Sequence, residues 1–413
     1  MDKSKYFLII ICGFLLGIIS AHYFLEKEFL KIFLSLVAGF YCLRKLATRL
    51  GGGLAEFFDY SNFYFSLFLA FICGFLRFYF SDGQGFTAIS DSAFFRFAQG
   101  IRGYFEGIVG RIFVGDAGGL VSGILLGGQD SISPALQEDF NTVGLTHIVA
   151  VSGYNISLII AIANSMFAFL PRRSRVAAVI FSIFCFVCVV GFTASVVRAA
   201  IMGGVASLAV FFGRKYFALM ALFLSAFVMN LFDPSFIIDD VGFQMSLLAT
   251  MGIILFSEIL EKYFRFIPKK FCLRESLVMT FAAQILVLPI ILVDFERLSV
   301  ISPVGNFLVL PFIPWIMLLG FIAICLYPLF AFGGLIFGFV SNILLQIVIF
   351  LVHGMASLPF AALDISWFDW YFSLGYYLVV FWFLLKNWKR EEVAGGDFHE
   401  GELADGRSAD NGH

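Results

Sequence analysis

Charged side chains are scarce in this chain: Asp, Glu, Lys and Arg make up 14% of its 413 residues, where roughly 25% is usual for a soluble domain. With 61% hydrophobic residues and a mean hydropathy of +0.95, that shortage excludes an ordinary water-soluble protein. No GxxxxGK[ST] loop is present, so work drawn from ATP would have to come from another protein. The seven cysteines (Cys12, Cys42, Cys73, Cys185, Cys188, Cys272, Cys325) all lie in or beside apolar runs, which suggests neither a disulfide framework nor a zinc site. Cys185 and Cys188 form a CxxC inside the run 176–191, where they read as two small apolar side chains on one helix face. Neither a metal nor a cofactor is expected, and no enzymatic role. The net charge of −2 says little about partners, because in such a chain the distribution of charge matters more than its sum.

What the chain does have is repeated apolar runs of roughly 17 to 25 residues, the length that crosses a bilayer core as a helix. Spans are expected near 6–24, 29–43, 62–80, 144–170, 176–191, 193–213, 216–232, 242–258, 275–293, 304–327, 331–355 and 370–386, giving an all-α polytopic membrane protein of about twelve helices. The first run follows Lys3 and Lys5 as a signal peptide would. It lacks a small-residue cleavage site, and Glu26, Lys27 and Glu28 follow directly, so it is expected to stay as the first span. Alternate loops carry opposite charge. Arg44, Lys45, Arg49, Arg172, Arg173, Arg175, Arg214, Lys215, Lys262, Arg265, Lys269, Lys270, Arg274, Lys386, Lys389 and Arg390 fall on one side, and Asp82, Asp91, Asp116, Asp130, Glu138, Asp139, Asp233, Asp239, Asp240, Asp294, Glu296, Asp364 and Asp369 on the other. The positive-inside rule then puts both termini in the cytoplasm and the protein in the cytoplasmic membrane. Pro303, Pro311 and Pro314 could break the tenth span into a re-entrant hairpin, and the second span, which contains Lys31, is short.

Four stretches follow: N-terminal helices over 1–80, an external segment over 81–143, a transmembrane core over 144–390 and a Gly- and Asp-rich tail over 391–413 expected to be disordered. In the external segment, 93–113 has apolar residues at helical spacing with Arg96, Arg102, Glu106 and Arg111 between them, the pattern of an amphipathic helix in the interface. GGLVSGILLGG, 118–128, is too short to span and could re-enter the membrane only against protein or a wet cavity. A polar stretch, 131–141, leads back to the core.

Polar residues inside such runs are costly and usually face a cavity or a partner. GLTHIVAVSGYNIS, 144–157, places His147, Ser152, Gly153 and Asn155 at the start of the fourth span. On a helix, Asn155 would lie about 80° and Ser152 about 140° round from His147, with Gly153 adjoining, one polar face. That face either lines a water-accessible path or bonds to neighbouring helices at about 0.6 kcal/mol each. Arg198, about 7 Å inside its span by helix rise, either snorkels to the surface or holds a cation where a polyanion would enter. Asp240, Gln244 and Ser246 stand at the outer end of the eighth span. Asp240 and Gln244, one turn apart, could meet one ligand or serve as a cap and a packing residue. Asn306, between Pro303 and Pro311, could partner a backbone carbonyl that proline frees. Gln284, Asn342, Gln346 and His353 are lone polar residues in spans, and most of the 56 phenylalanines are expected to face lipid or each other.

Taken in order, these blocks resemble the ComEC family of competence proteins. LLGGQDSISPALQEDFNTVGLTHIVAVSGYNIS (125–157), TASVVRAAIMGG around Arg198, GFQMSLLATMGI around Gln244 and Ser246, and SPVGNFLVLP around Asn306 are similar to that family's successive signatures. The resemblance implies a channel that passes one strand of transforming DNA across the cytoplasmic membrane, with His147, Ser152, Gly153, Arg198, Gln244, Ser246 and Asn306 as its functional residues. Asn155 stands where the family often has a second histidine, so any proton or ligand handled there is in doubt. The OB-like and metallo-β-lactamase-like domains common in the family have no counterpart here, which implies a separate nuclease. An external DNA receptor and a cytoplasmic ATP-driven motor are the other implied partners, besides single-stranded DNA and lipid. A small-molecule secondary transporter is the first rival reading, although no internal repeat is evident. An intramembrane serine hydrolase using Ser152 and His353 is the second.

Overall fold

The computed structural model describes residues 3–23, 66, 69–78, 93–128, 132–149, 153–191, 193–213, 217–267, 273–384 and 386. In chain order the helices are α1 (Lys3–Tyr23), α2 (Leu69–Phe78), α3 (Ala93–Ile112), α4 (Asp116–Leu126), α5 (Pro134–Val143), α6 (Thr146–Val149), α7 (Gly153–Met166), α8 (Arg172–Val190), α9 (Ala194–Phe212), α10 (Ala218–Phe232), α11 (Phe236–Asp239), α12 (Val241–Tyr263), α13 (Leu273–Asp294), α14 (Ser302–Val309), α15 (Ile313–Leu326), α16 (Ala331–Ala356) and α17 (Trp370–Leu384). Two three-residue strands, β1 (Arg297–Ser299) and β2 (Ala362–Asp364), form an antiparallel ribbon with Leu298 opposite Leu363.

Six of these helical segments are long and apolar enough to cross a membrane: α8, α9, α12, α13, α14 with α15, and α16. Six shorter apolar helices, α1, α2, α4, α7, α10 and α17, accompany them. The outer faces stay apolar, with Phe181, Phe339 and Phe350 all exposed, as a lipid-facing bundle requires. The expected span at 29–43, most of the residues before 69, and the tail from 391 lie outside the described residues.

The core is built around α4. Its residues from Ala117 to Leu126 are all buried, and Leu120, Val121 and Ile124 pack with Phe140, Val143, Ile316, Met317, Leu345 and Val348 from α5, α15 and α16. The stretch 118–128 therefore lies against protein. A second cluster joins α7, α8 and α9 through Ile156, Val179, Ile183 and Val196. A third joins α1, α10 and α12 through Phe14, Ile18, Met229 and Phe243. Close backbone approach is set by glycine at α1 and α2, where a Cβ on Gly17 would fall 1.9 Å from the Phe71 carbonyl oxygen.

Two expectations change. The polar stretch 131–141 contains a helix, α5, with Ser133 accepting from the Leu136 N–H at 3.3 Å, Pro134 in its first turn and left-handed Gly144 (φ 73) ending it. After that glycine, His147 lies on α6 and Asn155 on α7, and residues 150–152 between the two lie outside the described residues. The helix expected over 144–170 is therefore described over 146–149 and 153–166, and it ends at Met166. Around Pro311 and Pro314 the chain makes one 3-10 turn, Leu310–Phe312, with right-handed helical backbone on both sides, so Ser302–Leu326 runs on as one segment and not as a hairpin.

Candidate functional site

Arg198 sits on the buried face of α9 with Ala194 and Ala199, and is 5% exposed. Its two terminal nitrogens donate to the hydroxyls of Ser246 and Thr250 on α12. Those acceptors are one helical turn apart and so share a face, and the Thr250 hydroxyl donates in turn to the Ser246 carbonyl at 2.9 Å. No carboxylate among the described residues pairs with Arg198, and its Nε has no hydrogen-bond partner. A buried charge ordinarily carries a counter-charge; here two hydroxyl dipoles stand in for it. Gly153, at the described start of α7, lies alongside. A Cβ there would be 3.5 Å from that of Ala199 and 4.0 Å from Arg198 Nη2, so the missing side chain keeps this approach to the guanidinium uncrowded. Arg198, Ser246 and Gly153 thus converge. Thr250 was missed in the sequence, although its position four residues after Ser246 was the available signal.

Asn155 points elsewhere. It is 3% exposed and donates to the Ile124 carbonyl at 3.1 Å, capping one of the carbonyls left open at the end of α4. Ser152 lies outside the described residues.

His147 and Asn306 form a second group. The His147 ring is exposed and lies beside the Gly144 carbonyl and the Asn306 side chain. Asn306 is 6% exposed, and its Oδ1 has no partner. One turn earlier on α14, the Ser302 hydroxyl accepts from Gln284 Nε2 at 3.3 Å. Small residues bring the two walls together: a Cβ on Gly305 would fall 2.7 Å from Val143 Cγ1, and one on Gly144 would fall 2.9 Å from Ser302 Cβ. Ser302 was missed because a lone serine after a loop carries no periodic signal.

Asp240 and Gln244 do not converge on a common point. Asp240 accepts from the Phe243 N–H at 2.8 Å as the cap of α12. Gln244 donates to the carbonyls of Ile237 and Ile238 at 3.1 and 2.8 Å, holding α11 against α12. His353, exposed at the end of α16, meets Asp139 of α5 at 2.8 Å, while Arg297 pairs with Glu138 and reaches Asp364 at 3.6 Å. At the loops expected to be cytoplasmic, arginines close helix ends. Arg172 donates to the Val210 carbonyl, Arg175 to those of Ala168 and Leu170 at 3.0 and 3.2 Å, and Arg274 to that of Arg265 at 2.6 Å.

Comparison with known proteins gives this arrangement a family. The model of the family described as "Competence protein" matches residues 124–390. ComE operon protein 3 of Bacillus subtilis (strain 168) is 28% identical over 226 residues, 54% of this chain, and the match spans 28% of that relative's length. No solved structure matches. The matched stretch covers more than half of the 413 residues and holds all the candidate positions from His147 to Asn306, and on that ground the chain belongs to the competence protein family.

Proposed function

We propose that this chain forms a conduit for single-stranded DNA across the cytoplasmic membrane during natural competence. The observation that carries the reading is Arg198: a guanidinium set among apolar helices with hydroxyl partners, a free Nε and no counter-charge among the described residues. A strand bearing one phosphate per nucleotide cannot enter hydrocarbon and needs a polar path that binds it weakly enough to release it. A guanidinium not already neutralised by a carboxylate is suited to a transient phosphate contact, and Gly153 leaves one approach to it uncrowded. His147, Ser152 and Asn306 would supply uncharged polar lining, while Asn155 would hold the end of α4 in place. The exposed basic residue Arg173 would meet the strand on the cytoplasmic side, in a salt-dependent way. The chain itself would carry out no reaction. An external DNA receptor, a separate nuclease and a cytoplasmic ATP-driven motor would complete the pathway, with both termini cytoplasmic.

The hydrolase alternative has His353 Nδ1 2.8 Å from Asp139 and its nucleophile Ser152 outside the described residues, and labelling of Ser152 by a serine-reactive probe would favour it. The transporter alternative is separated by experiment: delete the gene, restore it as wild type or Arg198→Ala, and follow labelled DNA into the cytoplasm together with transformant yield. Loss of both on deletion, with rescue by the wild type only, supports the conduit. Unchanged uptake in the deletion strain overturns it.

A further inference from the structure

Between the last turn of α3 and the first turn of α4 lies a cavity of about 330 Å³, apart from every residue used above. That volume is at the lower end of small-molecule sites, about 300–1,000 Å³. Glycine creates the space: a Cβ on Gly110 or Gly115 would meet nothing within 4 Å among the described residues.

The groups around this space are hydrogen-bond acceptors. Glu106 brings a carboxylate whose Oε1 is 2.9 Å from Arg102 Nε, leaving Oε2 uncommitted. The 20-residue α3 ends here, with the open carbonyls and partial negative charge of a helix C-terminus. The start of α4 adds no free donor at Gly118 and Gly119, because both N–H groups go to the Gly115 carbonyl, at 3.0 and 3.2 Å. Ser122, in the same wall, is 4% exposed, and its hydroxyl has no partner among the described residues. One nearby cation, Arg102, already pairs with the Glu106 carboxylate beside this space. Arg102 is committed to Glu106 and, at 3.3 Å, to the Val190 carbonyl, while Arg111 is exposed and does not line the cavity.

We propose that this cavity binds a primary ammonium group, with Glu106 Oε2 and the Ser122 hydroxyl each accepting one of its hydrogens. A carboxylate, a helix C-terminus and an unpaired hydroxyl around one space complement a compact cation with several N–H donors, which a quaternary ammonium lacks. Two sources carry that chemistry: the headgroup of an ethanolamine phospholipid, reached from the interface where the amphipathic α3 is expected to lie, and a soluble amine.

The test uses the full chain in lipid nanodiscs of phosphatidylcholine alone or mixed with phosphatidylethanolamine, titrated with ethanolamine or with choline. Thermal unfolding gives affinity, and mass spectrometry under native conditions gives retained lipid. Ethanolamine is expected to raise the unfolding temperature in a saturable way and choline to leave it unchanged. Glu106→Gln should weaken the response about tenfold or more, as expected for loss of a charge-assisted bond. Gly110→Leu, which fills the space and leaves the Glu106–Arg102 pair intact, should abolish it. Selective retention of phosphatidylethanolamine assigns the site to lipid, and a response to free ethanolamine without it assigns the site to a soluble amine. An equal response to choline, or one that survives Gly110→Leu, overturns the proposal.

Discussion

Two arginines meet this bundle in opposite ways. Arg297, at the start of the β ribbon, is partly solvent-exposed and shares two carboxylates, Glu138 and Asp364. Arg198, inside α9, is buried and has two hydroxyls and no acid. In the first arrangement two acids outweigh one cation, so it ties elements together and leaves no net positive charge, although its Nε, like that of Arg198, has no hydrogen-bond partner among the described residues. The second retains a net positive charge in a place where retaining one is expensive. A charge kept unpaired against that expense calls for a ligand as its counterpart, whereas the Arg297 pairs need only the fold.

The sharpest way to break this contrast is Arg198→Ala. Cytoplasmic uptake of labelled DNA is expected to fall by about ten- to a hundredfold, the value of one or two charge-assisted hydrogen bonds to phosphate, with the protein still present in membranes by immunoblot. Arg198→Lys keeps the charge but loses the planar fork that spans Ser246 and Thr250, and should fall between alanine and wild type. If uptake is unchanged in both, the buried arginine is only structural.

A second expectation concerns stability. Asn155→Ala removes the donor that caps the Ile124 carbonyl at 3.1 Å. Leaving a buried carbonyl unpaired should cost about 1–3 kcal/mol, seen as a lower unfolding midpoint in detergent. Thr250→Val takes one acceptor from Arg198 and should cost about 1–2 kcal/mol by the same measurement, while lowering uptake less than Arg198→Ala does. Smallest of all, Arg297→Ala should cost under about 1 kcal/mol, because exposed ion pairs contribute little and salt screens them. DNA uptake in that strain should equal wild type; a large loss would erase the distinction between the two arginines.

Arg198 and Ser246 lie in separate blocks of the sequence, 48 positions apart, and nothing local joins them. A shared polar face for His147 and Asn155 rests on helix through 150–152, which lies outside the described residues, while the Asn155 side chain is committed to the Ile124 carbonyl. Asp240 was legible as a cap, because an acidic residue just before a helix has a local partner three residues on. The partner of Asn155 was not legible, because it is a backbone carbonyl on another helix and carries no side-chain signature.

The amino-acid sequence alone determined that this protein has helices long and apolar enough to cross a membrane, and approximately where they lie, because hydropathy acts over about twenty residues whatever the neighbours are. Tertiary structure alone decided which polar groups meet: Arg198 with Ser246 and Thr250, and Asn155 with Ile124. Such meetings need atoms within about 3 Å of each other, and the rotation and offset of packed helices that achieve this are properties of the assembled bundle, held in no local run of residues.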